Sequence, residues 1–223
     1  MNNLAACSFG LALLSAAAAH AAPFQNGSFE SGTLVNTASF DELHIGSTAI
    51  TGWTVLGPAG VDYIENYWVS ADGLRSLDLV GCDRAGGGQG GVEQTFDTVP
   101  GAIYQVTFSM AGNFGNTPAI KSLLVSAAGQ SAAHTFDTTG KSSVAMGWES
   151  RYFTFAATST STTLRFENTS IGSTCAGAAI DNVVVGLRPA VPVQDAAWGA
   201  ALAIALAVLF GLHSRRRRDD LRA

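Results

Sequence analysis

Tyr104, Val106, Phe108 and Met110 alternate with Gln105, Thr107 and Ser109. A helix would scatter these apolar residues around its circumference. A pleated strand, whose side chains alternate between two faces, collects them on one. The same short alternation surrounds Trp53 and Val55, Val61 and Tyr63, Leu77 and Leu79, Leu123 and Val125, Phe153 and Phe155, Leu164 and Phe166, and Val183 and Val185. Glycine, asparagine, serine and threonine punctuate these runs, and no part of the body carries a helical apolar stripe. The pattern predicts an all-β body built as a two-sheet antiparallel sandwich.

Charge excludes some partners. Between Ala22 and Pro189 the basic residues are Arg75, Arg84, Lys121, Lys141, Arg151, Arg165 and Arg188, against twice as many acidic ones. An acidic, glycine-rich body repels phosphate backbones, so no nucleic-acid partner is expected.

Both ends of the chain read as targeting segments. Leu11, Leu13 and Leu14 lie in an alanine-rich stretch closing on Ala19-His20-Ala21, which predicts a signal peptide over residues 1–21 and an exported body over 22–189. Residues 190–195 read as a linker or sorting motif. From Ala196 to Leu212 the chain holds about 17 uncharged residues, roughly 26 Å as a helix and close to the hydrocarbon thickness of a bilayer. That predicts a membrane anchor over residues 196–213. Arg215 to Arg218, in the tail 214–223, would stay on the cytoplasmic side, with Trp198 at the opposite interface. The expected location is the cell surface or outer envelope. Val191-Pro192 and Trp198-Gly199, an apolar span and a terminal arginine cluster resemble the sorting tails of PEP-CTERM and IPTL-CTERM proteins, which implies a sorting protease as a further partner.

Two smaller patterns lie in the body. Thr95-Phe96-Asp97-Thr98 precedes Gly101, and Thr135-Phe136-Asp137-Thr138 precedes Gly140, one strand-to-turn solution used twice and no solenoid repeat. Cys82 and Cys175 are the cysteines left once Cys7 departs with the signal. In an oxidising compartment such a pair is expected to form a disulfide, two free buried thiols being the alternative.

The order of motifs resembles a known family. Asn26-Gly27-Ser28-Phe29-Glu30, Ile50-Thr51-Gly52-Trp53, Val61-Asp62-Tyr63-Ile64 with Trp68, Asp72-Gly73 with Ser76-Leu77-Asp78-Leu79, Gly91-Val92-Glu93-Gln94, Ala111-Gly112-Asn113 and Ala179-Ile180-Asp181-Asn182-Val183 are similar in sequence and order to the choice-of-anchor C family. That family is related to plant cell-wall proteins of the domain of unknown function 642. The resemblance implies a galactose-binding-like jelly roll, the sandwich of many carbohydrate-binding modules, and no enzymatic activity.

The residues themselves offer little catalytic chemistry. His44 and His134 have no second ligand at metal spacing, and neither a zinc H-E-x-x-H nor a G-x-S-x-G elbow occurs. Paired carboxylates for glycoside hydrolysis stay open, because so many acids make some pair at the required separation by chance. Aromatics are the stronger handle, since sugars stack C–H-rich faces on aromatic rings while polar side chains take the hydroxyls. Tyr67 and Trp68 beside Asn66, and Trp148 beside Glu149 and Arg151, are the candidate ligand-binding residues. Trp53 reads as core, and Trp68 is open to the same role.

A structural Ca²⁺ is expected where the first and last strands meet. Asp181 shares parity with Val183 and Val185, so an inward row would bury its carboxylate. Galactose-binding-like sugar modules similar to this body pair an acid after an N-G-x-F-E start with an aspartate on the closing strand, which implies Glu30 and Asp181 as ligands. Opposite parity would free Asp181, and Arg75 or Arg165 could pair it instead. The function these features imply is non-catalytic: an exported sandwich that binds extracellular or cell-wall polysaccharide, with a structural scaffold or a hydrolase as alternatives.

Overall fold

The computed structural model describes residues 22–35, 39–82, 89–172 and 175–188. The chain divides between Arg188 and Pro189. The segments read as signal peptide, sorting motif, membrane anchor and arginine-rich tail lie outside the described residues. Among the described residues no helix is long and apolar enough to cross a membrane.

The body is an all-β sandwich. Its strands are β1 (Phe40–Leu43), β2 (Thr54–Leu56), β3 (Val61–Ile64), β4 (Ser76–Asp78), β5 (Gly91–Asp97), β6 (Ile103–Gly112), β7 (Ile120–Ala127), β8 (Gln130–Asp137), β9 (Glu149–Ala156), β10 (Ser161–Asn168) and β11 (Ala178–Leu187). One sheet has six strands in the order β1-β3-β4-β11-β6-β9, and the other has five in the order β2-β5-β10-β7-β8. Every pairing is antiparallel.

The alternation seen in the sequence decides the two inner faces. Val106, Phe108 and Met110 of β6 meet Val125 of β7 and Leu164 and Phe166 of β10 in one buried layer. Phe108 sets its edge against Phe166 at 5.0 Å between ring centroids. The chain before β1 closes one end of this layer. Phe29 is fully buried, Phe24 and Phe29 pack on Trp53 at 5.8 and 5.3 Å, and the Trp53 indole N–H donates to the Asn26 carbonyl at 2.9 Å. Burying rings of this size supplies most of the apolar stabilisation of such a core.

One register change alters a prediction. Asp181 lies opposite Ser109 and Val184 opposite Thr107, so β11 spends three residues where β6 spends two. The extra residue makes a β-bulge, with Asn182 at φ +49°. Parity breaks there. Ser109 and Thr107 share the face opposite Phe108 and Met110, so Asp181 points away from the core although Val183 is buried in it. The inward row expected from Asp181 through Val185 does not exist.

The two Thr-Phe-Asp-Thr copies end β5 and β8 alike. Phe96 and Phe136 enter the core, and the buried Thr98 and Thr138 hydroxyls donate to backbone carbonyls of Ser159 and Ala119. Gly101 and Gly140 follow at φ +80° and +73°, in turns where any side chain would be strained.

Cys82 and Cys175 form a disulfide that joins the chain after β4 to the chain before β11. It closes a separation of 93 residues, for which loop-closure entropy gives about 3–5 kcal/mol. Reduction, or the double variant Cys82→Ser/Cys175→Ser, is expected to lower the stability of the body by an amount in that range, read from denaturant midpoints at fixed m-value. An unchanged midpoint would show that the bridge restrains nothing in the unfolded chain.

Candidate functional site

The loop from Glu65 to Arg75, between β3 and β4, organises one end of the six-stranded sheet. It has little apolar anchorage of its own beyond Trp68, and two carboxylates brace it. Asp181 Oδ2 accepts the N–H groups of Ala71 and Asp72 at 2.8 and 2.9 Å, and its Oδ1 accepts that of Asn182 at 2.6 Å. Glu30 Oε1 accepts the N–H groups of Leu74 and Arg75 at 2.9 and 2.8 Å. The Ser28 hydroxyl donates to Asp72 at 2.6 Å. Gly73 is required because a Cβ there would lie 2.4 Å from Glu30 Oε1, at a φ of +61°.

These contacts correct the expected metal site. The Glu30 and Asp181 carboxylates are bonded to backbone N–H groups, whose positive ends occupy the directions a cation would need. Among the described residues no three His, Cys, Asp or Glu side chains are grouped to hold an ion. A Ca²⁺ shared between Glu30 and Asp181 does not fit this arrangement. Arg75 and Arg165 do not pair with Asp181 either: Arg75 lies 3.6 Å from Glu65, with its guanidinium donating to the Tyr63 hydroxyl at 2.9 Å, and Arg165 lies 2.7 Å from Glu93.

With the loop braced, its aromatic residues separate. Trp68 is buried, 4 % exposed, and its indole N–H donates to the buried Ser76 hydroxyl at 2.8 Å. It presents no face to solvent, which corrects its placement on a sugar platform. Trp148 is half-buried and donates to the Val69 carbonyl at 2.9 Å, clasping the loop from the β8–β9 side. Asn66 and Tyr67 remain at the surface.

Tyr67 is 36 % exposed and has aromatic neighbours on several sides. Phe40 meets it edge-on at 5.7 Å, Trp68 tilts against it at 5.4 Å, and Phe114 lies parallel to it, 8° between planes, at 6.3 Å. Phe114 was not expected from the sequence. It follows β6 after Gly112, where alternation has ended, and only the turn of the next loop sets it beside Tyr67.

That loop is fixed from beneath. Lys121 is fully buried, and its Nζ donates to the carbonyls of Asn116 and Ala176 at 2.8 Å each. The Asn113 carboxamide accepts the Gly115 N–H at 2.9 Å and donates to Asp78 at 2.8 Å. Gly112 admits the lysine stem, since a Cβ there would lie 2.5 Å from Lys121 Cγ. Over this base opens a cleft of about 400 Å³, lined by Phe114, Gly115, Asn116, Thr117, Ala119, Thr138 and Thr139. The wall is neutral: one ring, two hydroxyls of Thr138 and Thr139, a third of Thr117, and an amide. Two larger clefts, about 550 and 420 Å³, lie along the five-stranded sheet and share Leu124. No aromatic ring lines either.

Burial, more than any partner, dominates the electrostatics. Asp181 is pushed up to about 7, first by desolvation and then, against its three N–H bonds, by the Asp72 charge. Burial likewise raises Asp78 to about 6, although Asn113, Gly177, Val80 and Lys121 oppose the shift. His134, below its usual range, is held there by burial and by Arg151.

The family model described as protein of unknown function, DUF642, matches residues 22–186. Halomucin of Haloquadratum walsbyi is 32 % identical over 189 residues, which cover 80 % of this chain and 2 % of that protein. The chain thus spans a small fraction of the length of that relative. Among solved structures, TmCBM61 in complex with β-1,4-galactotriose is similar at a TM-score of 0.45 and 17 % identity, over 74 % of this chain and 97 % of that one. The CBM22-1 xylan-binding domain of Paenibacillus barcinonensis Xyn10C is similar at 0.43 and 17 %, over 66 % and 92 %.

Asp181→Asn tests the brace. The carboxyl, near 7 in the fold and about 3.9 when unfolded, contributes stability that is complete below about pH 4 and lost as pH rises through about 7. The variant is expected to remove that slope. Below about pH 4, where the parent carboxyl is neutral in both states, it should also cost about 1–3 kcal/mol, because an amide nitrogen then faces N–H donors, and this cost should shrink as pH rises. Melting curves from pH 4 to 9, in buffers with and without chelator, check both points; the cost of the substitution should not depend on the chelator.

Proposed function

We propose that this chain, which belongs to the DUF642 family, is a non-catalytic glycan-binding sandwich that takes neutral polysaccharide at the Tyr67–Phe114 ledge, outside the cytoplasm. The observation that carries this reading is the ledge itself. It sets a partly exposed ring pair beside a neutral cleft whose hydroxyls and amide suit sugar hydroxyls, on a loop base that Lys121 and Asn113 hold rigid. Asn66 and Tyr67, singled out in the sequence, lie at this ledge or next to it in the chain, and Phe114 completes it.

Hydrolysis of a glycoside needs two carboxyl groups facing one another across the scissile bond. The three clefts described above have Glu167 as their single acidic lining residue. Asp181 is covered by the loop it braces. This supports binding without catalysis. The acidic body is consistent with an uncharged ligand, since anionic polymers would meet a like-charged surface.

A polysaccharide pull-down and glycan array test the reading on residues 22–188, which contain the whole described core and the disulfide. Tyr67→Ala and Phe114→Ala are each expected to weaken retention on a bound polysaccharide by about three- to tenfold, the loss of one stacking contact. Trp148→Phe, which keeps an aromatic ring of smaller size and loses the N–H to Val69, should have a smaller effect. Failure of the parent to bind any neutral polysaccharide favours a structural scaffold of the envelope or matrix.

The anchor completes the proposal: the apolar span from Ala196 to Leu212 holds the body at the surface while Arg215 to Arg218 oppose translocation. Replacing the four arginines with glutamine is expected to misorient or release the protein, read by protease accessibility in intact cells. Unchanged accessibility and retention would reject this role.

A further inference from the structure

The turn that carries Phe114 hangs on three consecutive carbonyls from a distant part of the chain. The β6–β11 ladder closes at Gly112 and Ala178, and one further bond, from the Asn113 N–H to the Gly177 carbonyl at 2.9 Å, joins the two segments beyond it. Past that bond, side chains make the links. The Asn113 carboxamide donates to the Cys175 carbonyl at 3.3 Å as well as to Asp78, while accepting the Gly115 N–H. Lys121 Nζ, fully buried, ties the Asn116 carbonyl to that of Ala176. Gly115 lies against the ledge, since a Cβ there would be 3.5 Å from the Tyr67 hydroxyl.

The three residues that supply those carbonyls, Cys175 to Gly177, precede β11 and belong to no strand. Gly177 is held by its N–H on Asp78 at 2.8 Å. Cys175 stands at φ +56°, a left-handed conformation disfavoured for a residue with a side chain. Strain of this kind persists where the surroundings over-determine it. Here the restraint is the disulfide to Cys82. Cys82 follows Gly81, whose N–H donates to the Gly60 carbonyl at 3.3 Å, so the bridge ties the strained residue to a fixed part of the sheet. Relaxation of Cys175 about φ would redirect the carbonyl to which Asn113 donates. Cys82 is exposed and Cys175 half-buried, which leaves the bridge within reach of a small reductant.

We propose that the Cys82–Cys175 disulfide is a redox-sensitive latch for the Phe114 turn: oxidised, it fixes the carbonyls of Cys175 and Ala176 and through them the ledge, and reduced, it frees them. The effect on glycan binding rests on the reading of the ledge as a polysaccharide site; the coupling of bridge to turn does not. A dithiol supplies the two electrons. One of its thiolates attacks a sulfur of the bridge and displaces the other cysteine as a thiolate, and its second thiolate then resolves the mixed disulfide. The dithiol ends as a disulfide, and both cysteines, once protonated, are thiols.

Amide hydrogen exchange of the full-length chain, with and without dithiothreitol, reads the latch without any sugar. Exchange at Asn113 and Gly115 is expected to rise about tenfold or more on reduction, and exchange at Leu74 and Arg75, which are held on Glu30, to change far less. Cys82→Ser/Cys175→Ser should reproduce this pattern. Asn113→Ala, which keeps the bridge and removes the link, should loosen Gly115 in the oxidised chain and leave reduction little further to release. Unchanged exchange at Gly115, an equal rise in both loops, or full additivity of reduction and Asn113→Ala overturns the latch. Reduction is also expected to weaken polysaccharide retention about three- to tenfold, as loss of the Phe114 stacking contact does. Undiminished retention by a chain whose Gly115 has loosened overturns the effect on binding. Where the oxidised chain retains no polysaccharide, the glycan reading fails and the exchange rates still decide the latch.

Discussion

Four N–H groups of one loop end on two carboxylates, Glu30 from the chain before β1 and Asp181 from β11. The rest of the candidate site depends on this contact. It draws the loop across the outer face of the six-stranded sheet, buries Asp181 although that residue points away from the core, and places Trp68 over Ser76. With Trp68 seated, Tyr67 is left at the surface between Phe40 and Phe114. A loop of this composition could not order itself by apolar burial, and the backbone hydrogen bonds to these two carboxyl groups order it instead.

Three buried aspartates lie on the same outer face, and each is handled differently. Asp181 receives three backbone N–H bonds and organises a loop. Asp78 receives two backbone N–H groups and an amide, and through Asn113 it steadies the turn that carries Phe114. Asp62 has an oxygen with no donor. Burial raises the affinity of all three for a proton, Asp62 most, to about 9, with the Asp78 and Glu42 charges adding to it. The outer face is thus where the sheet accommodates charge, while the inner faces hold the aromatic layer.

Much of the architecture was legible in the sequence because strand periodicity is a local property. Each run named from its alternation, from Trp53 and Val55 to Val183 and Val185, falls on or beside a strand. The edge strand β1 lacked a signal, since Phe40-Asp41-Glu42-Leu43 is half-buried throughout and alternates with nothing. The disulfide was expected from the two cysteines of the body, Cys82 and Cys175, on the expectation of an oxidising compartment, and the structure joins them.

Chain order, alternation and the cysteine pair were therefore enough to determine an all-β sandwich with a Cys82–Cys175 bridge and a motif order shared with the family. Tertiary structure alone decided the site. A single bulge at Asn182 reverses the face on which Asp181 lies, and one-residue slips of this kind move every side chain beyond them to the opposite side. It likewise set Trp68 inside and Tyr67 outside, joined Tyr67 to Phe114 across 47 positions of sequence, and left Asp62 facing Asp78 without a donor. Periodicity records which side of a strand a residue takes, but a loop's path and the partner of a buried charge depend on contacts between segments distant in the chain.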